Sequence, residues 1–143
     1  METTTKTNIT VEAIVNAPVN KVWNAWSDPK HITKWCQASE DWHVPYADND
    51  LKVGGKFKTT MAAKDESFRF DFEGVYSQVK TNSLIEYDIA DGRKVKVEFV
   101  ANGNETKVTE TFEAETANPI EMQRGGWQAI LDNFKKYTES LPA

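Results

Sequence analysis

The chain has 143 residues, a formal net charge of −5 and one cysteine, Cys36, so we expect a single domain over residues 1–143 without an intrachain disulfide. Its short apolar runs exclude a membrane-spanning helix, and its N-terminus lacks a secretory signal, which together predict a cytoplasmic protein. The negative charge is spread along the chain, and no basic stretch carries interleaved aromatic residues, which argues against nucleic acid as a partner.

The first quarter of the chain predicts a strand followed by two short helices. Residues 1–7 are polar, and we expect a frayed end. Residues 8–15 alternate with a period of two, which predicts a strand with one apolar face. Short helices are predicted over residues 18–27 and 28–36, each with a proline near its start. The apolar side of these helices carries Trp23, Trp26, Ile32 and Trp35.

The middle of the chain predicts a series of antiparallel strands. Residues 37–50 are irregular, with 42–44 as a candidate short strand, and Gly54 and Gly55 indicate a turn or bulge. The dipeptides Asp91-Gly92 and Asn102-Gly103 are strong hairpin signals. The strands predicted around these turns cover residues 56–62, 67–79, 84–89, 93–101 and 106–116.

A long amphipathic helix is predicted over residues 118–141. Asn118 is suited to the N-cap, Pro119 to the first helical position, and Glu121 completes a capping box. Burial of its apolar face is worth about 10 kcal/mol, which exceeds the roughly 2 kcal/mol that Gly125 and Gly126 cost, and we expect these glycines to permit close packing. The apolar face consists of Trp127, Ile130, Leu131, Phe134, Tyr137 and Leu141.

This order of elements predicts an α+β domain in which a curved antiparallel sheet of about six to seven strands wraps around the C-terminal helix. The sheet has one apolar face, and this helix is the only predicted element large enough to cover it. Where sheet and helix do not close completely, we expect a gap, although for each aromatic residue taken alone a filled core is the more common explanation. The gap would be lined by Phe57, Phe70, Phe72, Tyr87, Val97, Phe99, Trp127, Ile130, Leu131 and Phe134.

Several segments carry a resemblance to a known family: residues 15–23 (VNAPVNKVW), 26–35 (WSDPKHITKW), 54–57 (GGKF), 72–75 (FEGV), 106–109 (TKVT) and 126–131 (GWQAIL). Over residues 9–141 the chain resembles the START-like, or SRPBCC, helix-grip superfamily, which includes the birch-pollen allergens and polyketide cyclases. Within it, the chain is similar to the small stand-alone bacterial homologues of the activator of heat-shock protein 90 ATPase. The resemblance implies a helix-grip fold with a cavity beneath the last helix, and Trp26 and Trp35 at its mouth.

The chain departs from this family in two respects. Family members often carry arginine in the strand after the double glycine, where residues 58–61 read KTTM. The chaperone activators also have a second domain that has no counterpart here. Because the superfamily includes lipid carriers, cyclases, hormone receptors and chaperone regulators, the fold alone does not assign a function.

Candidate chemistry is sparse. No familiar catalytic motif is present, and the spacing of His31, His43 and Cys36 matches no standard ligand set, so we expect neither a metal nor a cofactor. We interpret both histidines as surface or loop residues and Cys36 as a small buried hydrophobe.

Glu110 is the one weak catalytic candidate. It shares strand parity with Val108 and Phe112, so an unbroken strand places it on the apolar face, where its pKa would rise and suit a general base or a ligand anchor. Base rates for buried acids favour the alternative, in which this face turns outward near a sheet edge or a bulge changes the register. The solvated outer face is predicted to carry Glu12, Asp71, Glu73, Glu98 and Glu113 with Lys94, Lys96 and Lys107.

Our leading hypothesis is a protein that binds a hydrophobic or amphipathic small molecule, as a monomer or homodimer, with Thr59, Tyr87 and Glu110 orienting its polar part. A second hypothesis is a protein-interaction role like that of the chaperone activators, through the outer face of the sheet. A third is a cyclase or aromatase, for which only Glu110 qualifies. The predicted ligand-binding residues are Trp26, Trp35, Phe57, Thr59, Phe70, Phe72, Tyr87, Phe99, Trp127, Ile130, Leu131 and Phe134.

Overall fold

The computed structural model describes residues 7–36, 41–90, 92–115 and 118–141. Most of the predicted frayed end, together with residues 37–40, Asp91 and Thr116, lies outside this description. The described elements are, in chain order, β1 (Asn8–Val15), α1 (Val19–Ser27), α2 (Pro29–Trp35), β2 (Trp42–Asn49), β3 (Lys56–Ala63), β4 (Arg69–Lys80), β5 (Leu84–Ile89), β6 (Lys94–Asn102), β7 (Glu105–Glu113) and α3 (Ile120–Ser140).

The strands form one antiparallel sheet in the order β1-β7-β6-β5-β4-β3-β2. Consecutive strands from β2 to β7 are neighbours, whereas β1 returns to pair with β7, placing Asn8 opposite Glu113. The sheet curls into a half-barrel around α3, which confirms the predicted α+β class, the strand number and the two short helices after the first strand. Among the described residues, no helix has both the length and the apolar character that crossing a membrane requires.

The core lies between the concave face of the sheet and α3. Ile9, Val11, Ala13 and Val15 are all buried, as the alternation of β1 predicts. Leu131 and Phe134 of α3 are completely buried above this face. The amphipathic patterns of strand and helix therefore face each other across the core.

The short helices are fastened to each other at one end of this core. The side chain of Asp28 accepts a hydrogen bond of 2.9 Å from the backbone N–H of Lys30 and so caps α2. The indole Nε1 of Trp35 donates to the carbonyl oxygen of Ala25 in α1 at 2.9 Å. Trp26 and Trp35 stack obliquely with their ring centroids 4.9 Å apart. The pair of helices consequently closes one end of the half-barrel with aromatic side chains.

Strand β2 is longer than the candidate strand at residues 42–44. Its pairing with β3 shifts register between His43 and Tyr46, and this interval contains Pro45. Proline cannot donate to a strand ladder, and a register shift interrupts the period-two alternation. The pattern by which strands are found in a sequence is therefore missing from β2.

The start of α3 differs from the predicted capping box. Pro119 is the N-cap residue with no side-chain hydrogen bond, and the Asn118 amide donates instead to the Glu115 carboxylate at 2.6 Å. Gln123 secures the helix start, because its side chain accepts from the backbone N–H of Glu115 at 2.9 Å and donates to the carbonyl oxygen of Asn118 at 2.8 Å. A buried glutamine thus replaces the predicted cap.

Two glycines of α3 are not sites of close packing, contrary to expectation. A Cβ atom added at Gly125 or Gly126 would meet nothing within 4 Å. The close approach occurs at Gly74 in β4, where a Cβ atom would lie 2.5 Å from the Phe57 ring and 2.7 Å from the carbonyl oxygen of Asp88. Gly74 pairs with Phe57 across the sheet, so the missing side chain provides the space for this ring.

A candidate ligand cavity

A partly open cavity of about 270 Å³ lies between the concave face of the sheet and the helices. It exists because α3 packs mainly against β1 and the short helices, leaving the concave side of β3, β4 and β5 only partly covered. Its walls are formed by Trp26, Ile32, Trp35, Cys36, Asn49, Phe57, Thr59, Met61, Phe70, Phe72, Tyr76, Tyr87, Arg93, Glu110, Trp127 and Ile130.

The aromatic residues of the wall support one another. Phe57 meets Tyr87 edge-to-face with ring centroids 4.8 Å apart and lies 5.6 Å from Phe72. On the opposite side, Trp127 of α3 stacks on Phe112 with centroids 3.8 Å apart and the ring planes 11° apart. Aromatic pairs prefer such edge-to-face and stacked arrangements. The cavity is therefore bounded by aromatic side chains that pack against one another.

The structure brings most of the predicted ligand-binding residues to this cavity, although whether they bind a ligand stays a prediction. Those on its wall are Trp26, Trp35, Phe57, Thr59, Phe70, Phe72, Tyr87, Trp127 and Ile130. Trp35 is only 4% exposed and lies inside the wall rather than at the mouth, whereas the Phe70 side chain at the rim is 41% exposed.

Phe99, Leu131 and Phe134 lie in the filled core instead, as does Val97. The Phe134 ring packs between Trp26 and Trp35, at centroid distances of 4.9 and 4.8 Å. Phe99 likewise meets Trp23 and Trp26 edge-to-face. The Phe99 and Phe134 rings lie at the end of the half-barrel that the short helices cover, so they fill space instead of lining the cavity.

The sequence prediction missed part of the wall, and Tyr76 and Asn49 show why. Tyr76 shares strand parity with Phe72, so its position was available from the alternation of β4. Asn49 follows the register shift in β2, where no such pattern exists. The Tyr76 hydroxyl donates to the Asn49 side-chain oxygen, and the Asn49 amide donates to the Ser27 carbonyl oxygen at 2.6 Å. The other missed wall residues are Ile32, Cys36, Met61 and Arg93.

Glu110 lies on the concave face and is 5% exposed. Strand β7 is unbroken here, because Glu110 pairs in regular register with Val11 on one side and Val97 on the other. The outward turn or bulge that base rates favoured is therefore wrong. Burial raises the pKa of the Glu110 carboxyl group to about 8. At neutral pH this side chain is mainly a neutral acid, which donates a hydrogen bond rather than acting as a base.

The neighbouring thiol and phenol groups in the cavity are neutral as well. Burial, with a smaller effect from Glu110, raises the pKa of the Cys36 thiol to about 12 and holds the pKa of Tyr87 well above its usual value. Burial also raises the pKa of Tyr76. Arg93 is the cationic member of the wall, and its guanidinium donates to the carbonyl oxygen of Glu113 at 3.3 Å. The cavity thus presents mainly neutral donors among aromatic rings.

Within the described ranges, no cluster of histidine, cysteine and acidic side chains could hold a metal ion. His43 is exposed in β2, whereas His31 on α2 is partly buried and its Nδ1 lies 2.5 Å from the Tyr137 hydroxyl. His31 is thus a partly exposed residue of a helix. Cys36 is half-buried at the end of α2.

The convex face of the sheet is charged, as predicted. Glu12, Asp71 and Glu73 are exposed, and Glu98 and Glu113 are half-buried. Charges of both signs alternate there, for example in the pair of Lys107 and Glu12 at 3.4 Å. At this level of exposure such pairs contribute little to stability.

A half-barrel sheet around a long C-terminal helix, with two short helices after the first strand, defines the helix-grip class of START-like proteins. The family described as Activator of Hsp90 ATPase homolog 1-like protein matches residues 16–139. The chain belongs to this family. No curated protein sequence matches it.

Solved structures agree with this assignment. The AHSA1-like protein from Aeromonas hydrophila is 44% identical, with a TM-score of 0.88 over 94% of this chain and 93% of that one. Chr148 from Cytophaga hutchinsonii is 61% identical, with a TM-score of 0.81 over 92% of each chain. CV1439 from Chromobacterium violaceum shares the fold, with a TM-score of 0.84 at 22% identity over 94% of this chain and 99% of that one.

Proposed function

We propose that this chain binds a hydrophobic or amphipathic small molecule in the cavity between the sheet and α3. The supporting observation is the cavity itself, about 270 Å³ of space walled by aromatic side chains that contact one another. Small-molecule sites are concave and lined mainly by apolar and aromatic side chains with a few polar groups, which is the composition of this wall. A sequence that leaves the space open is better explained by an occupant than by packing.

The dimensions and chemistry of the wall define the occupant. Sites for drug-sized ligands enclose about 300–1,000 Å³, so a cavity of about 270 Å³ suits a small molecule of one or two fused rings or a short acyl chain. The aromatic rings favour a flat apolar body. Thr59, Tyr87 and Glu110 supply the polar contacts that orient an amphipathic ligand. A cytoplasmic location is compatible with the one half-buried cysteine.

The decisive experiment is a fluorescence titration with N-phenyl-1-naphthylamine, a neutral dye that brightens in apolar surroundings. Two variants form a matched pair. Phe70 is on the cavity wall, whereas Phe68 is 57% exposed and is not. Phe70→Asp puts a charge at the cavity rim, and Phe68→Asp puts the same charge two positions away. We expect saturable one-site binding in the parent, retention in Phe68→Asp and at least a tenfold loss of affinity in Phe70→Asp.

The control is the circular dichroism spectrum, which must be unchanged in both variants. Absence of saturable binding by the parent, or equal losses in the two variants, would refute a ligand site in this cavity. Equal losses would indicate that the dye adheres to the exposed aromatic cluster of Trp42, Phe68 and Phe70, whose rings lie within about 6 Å of each other.

A second candidate function follows from the family description, which names an activator of the Hsp90 ATPase. In this hypothesis the chain binds a chaperone through the convex face, where charged pairs such as Lys94 with Asp88 at 3.1 Å could be exchanged for partner contacts. The test is the ATPase rate of a bacterial heat-shock protein 90 with and without the chain. Stimulation that Lys107→Glu reduces and Phe70→Asp preserves would favour this function over ligand binding.

A further inference from the structure

We infer that the cavity selects ligands with a carbonyl oxygen on an apolar body, and that Glu110 and Tyr87 are the paired donors that bind this oxygen. The inference rests on the proposed function and names the chemical class of its ligand.

The sheet places the two donors on opposite sides of one short apolar strip. Glu110 of β7 pairs with Val97 of β6, and Tyr87 of β5 pairs with Val95 of β6. All four side chains therefore belong to the concave face. Strands that flank a third lie about 10 Å apart, and the two valines between them are short. The longer side chains of Glu110 and Tyr87 can converge above Val95 and Val97, where both border the cavity.

Neither donor has a hydrogen-bond partner within the described part of the chain. Glu110 is 5% and Tyr87 7% exposed, and among the described residues neither the carboxyl group nor the phenol hydroxyl makes a hydrogen bond. Buried polar groups are hydrogen-bonded in the great majority of cases, so two unpaired groups on one cavity need an explanation. Thr138 is the one described side chain whose unpaired polar atom is sealed from any space. The groups of Glu110 and Tyr87 instead face a cavity that can hold the missing acceptor.

The protonation states define what that acceptor is. Both side chains are neutral at pH 7, because burial raises both pKa values. The other titratable or charged side chains that the described residues place on the wall are Cys36, Tyr76 and Arg93, and the helix side contributes Trp26, Trp127 and Ile130. A protonated carboxylic acid beside a tyrosine is an established way to bind a carbonyl or enolate oxygen in an apolar site. A ligand carboxylate is disfavoured, because a charged group loses far more hydration than a carbonyl group on entering an apolar site.

The test compares 2-acetylnaphthalene with 2-isopropenylnaphthalene, which replaces the C=O group by C=CH₂ in the same shape. Each compound displaces N-phenyl-1-naphthylamine from the parent and from Glu110→Leu, Tyr87→Phe and Glu110→Gln at pH 6.5. Because Glu110 and Tyr87 would each donate one hydrogen bond to the ketone and none to the alkene, we expect the parent to bind the ketone about tenfold more tightly. Glu110→Leu and Tyr87→Phe should each reduce this preference to about threefold or less, because each weakens binding of the ketone more than binding of the alkene.

The pH profile separates a hydrogen-bond donor from a residue that only shapes the cavity. In the parent, the preference for the ketone should decline as the pH rises through about 8, since the carboxylate cannot donate. Glu110→Gln retains a donor and does not titrate, so its preference should be similar at pH 6.5 and pH 9. This variant also keeps the test conclusive if Glu110→Leu does not fold.

The possible results are distinct. Equal affinity for ketone and alkene, with the dye still bound, would overturn this inference and leave the proposed function standing. Absence of dye binding by the parent would overturn both. Tight binding of 2-naphthylmethylammonium that strengthens above pH 8 would also overturn the inference. It would indicate a cation site, in which Glu110 acts as an anion beside aromatic rings.

Discussion

The carboxyl group of Glu110 is protonated in the folded chain at neutral pH and ionised in the unfolded chain. Burial raises its pKa from 4.5 to about 8. Between these values the folded state binds one more proton than the unfolded state, so the free energy of unfolding falls as the pH rises. The contribution is fully present below pH 4.5 and is lost as the pH rises through about 8.

Glu110→Gln should remove this pH dependence. The free energy of unfolding of the variant, minus that of the parent, should increase by about 4–5 kcal/mol between pH 4.5 and pH 8.5, at 1.36 kcal/mol per pKa unit. Urea unfolding of both proteins at the two pH values measures this difference in free energy. The contributions of the other titrating groups are common to both proteins and cancel. A difference that stays constant with pH would show that Glu110 has an ordinary pKa.

Single residues were predictable from the sequence when strand alternation alone decided their position. Glu110 follows the parity of Val108 and Phe112, and its burial agrees with that pattern. What it faces depends on Tyr87, two strands away, and a sequence does not show whether the space between them is filled. The core positions of Phe99 and Phe134 were missed for the same reason, because the short helices determine which end of the half-barrel is filled.

At the scale of elements, glycine has opposite effects in β4 and α3. Gly74 in β4 leaves space for the Phe57 ring, whereas Gly125 and Gly126 in α3 face open space. Gly125 and Gly126 therefore cost conformational entropy within the helix and bring no benefit in packing. The same substitution should therefore change stability in opposite directions in the two elements.

Gly125→Ala should raise the free energy of unfolding by about 0.5–1 kcal/mol, because alanine favours the helix and its methyl group meets no neighbour. Gly74→Ala should lower it by about 1–3 kcal/mol, because the methyl group collides with the Phe57 ring and the Asp88 carbonyl oxygen. Urea unfolding at one pH measures both. Destabilisation by Gly125→Ala would indicate that α3 needs a flexible point beside Trp127.

The elements that the sequence predicted well are those with local signals. Gly92 and Gly103 adopt positive φ angles of 91° and 64° at the two predicted hairpins. The missed features depend on distant or irregular partners: β2 lost its alternation at Pro45, and the start of α3 is secured by Gln123 and Glu115 rather than by its cap. Neither arrangement has a short sequence pattern.

At the scale of the whole molecule, the cavity results from where α3 rests on the sheet. Sequence periodicity predicts that strand and helix faces meet, but it does not predict how completely the helix covers a curved sheet. The helix lies toward β1, and the space remains beside β3, β4 and β5. A ligand in this space would connect both sides of the half-barrel and stabilise the folded chain as a unit.

Thermal unfolding should detect that effect. At a tenfold excess over its dissociation constant, N-phenyl-1-naphthylamine should add about 1.4 kcal/mol to the free energy of unfolding and raise Tm by about 3–6 °C. The increase should continue with the logarithm of dye concentration in the parent and in Phe68→Asp, and should be about 0.4 kcal/mol or less at the same dye concentration in Phe70→Asp. Brighter dye without any change in Tm would mean that the dye binds folded and unfolded chains alike.

The pairing of β1 with β7 determines how the chain folds while it is being made. Asn8 cannot pair until Glu113 has been synthesised. At roughly 5–20 residues per second, the ribosome takes about 5–20 s to synthesise the residues between them. During this time β1 has an unpaired edge and an uncovered apolar face, a combination that favours association with other chains. The sheet is complete only after β7 has been synthesised, so slower translation lengthens the time for which β1 is exposed, in contrast to a fold built from neighbouring strands alone.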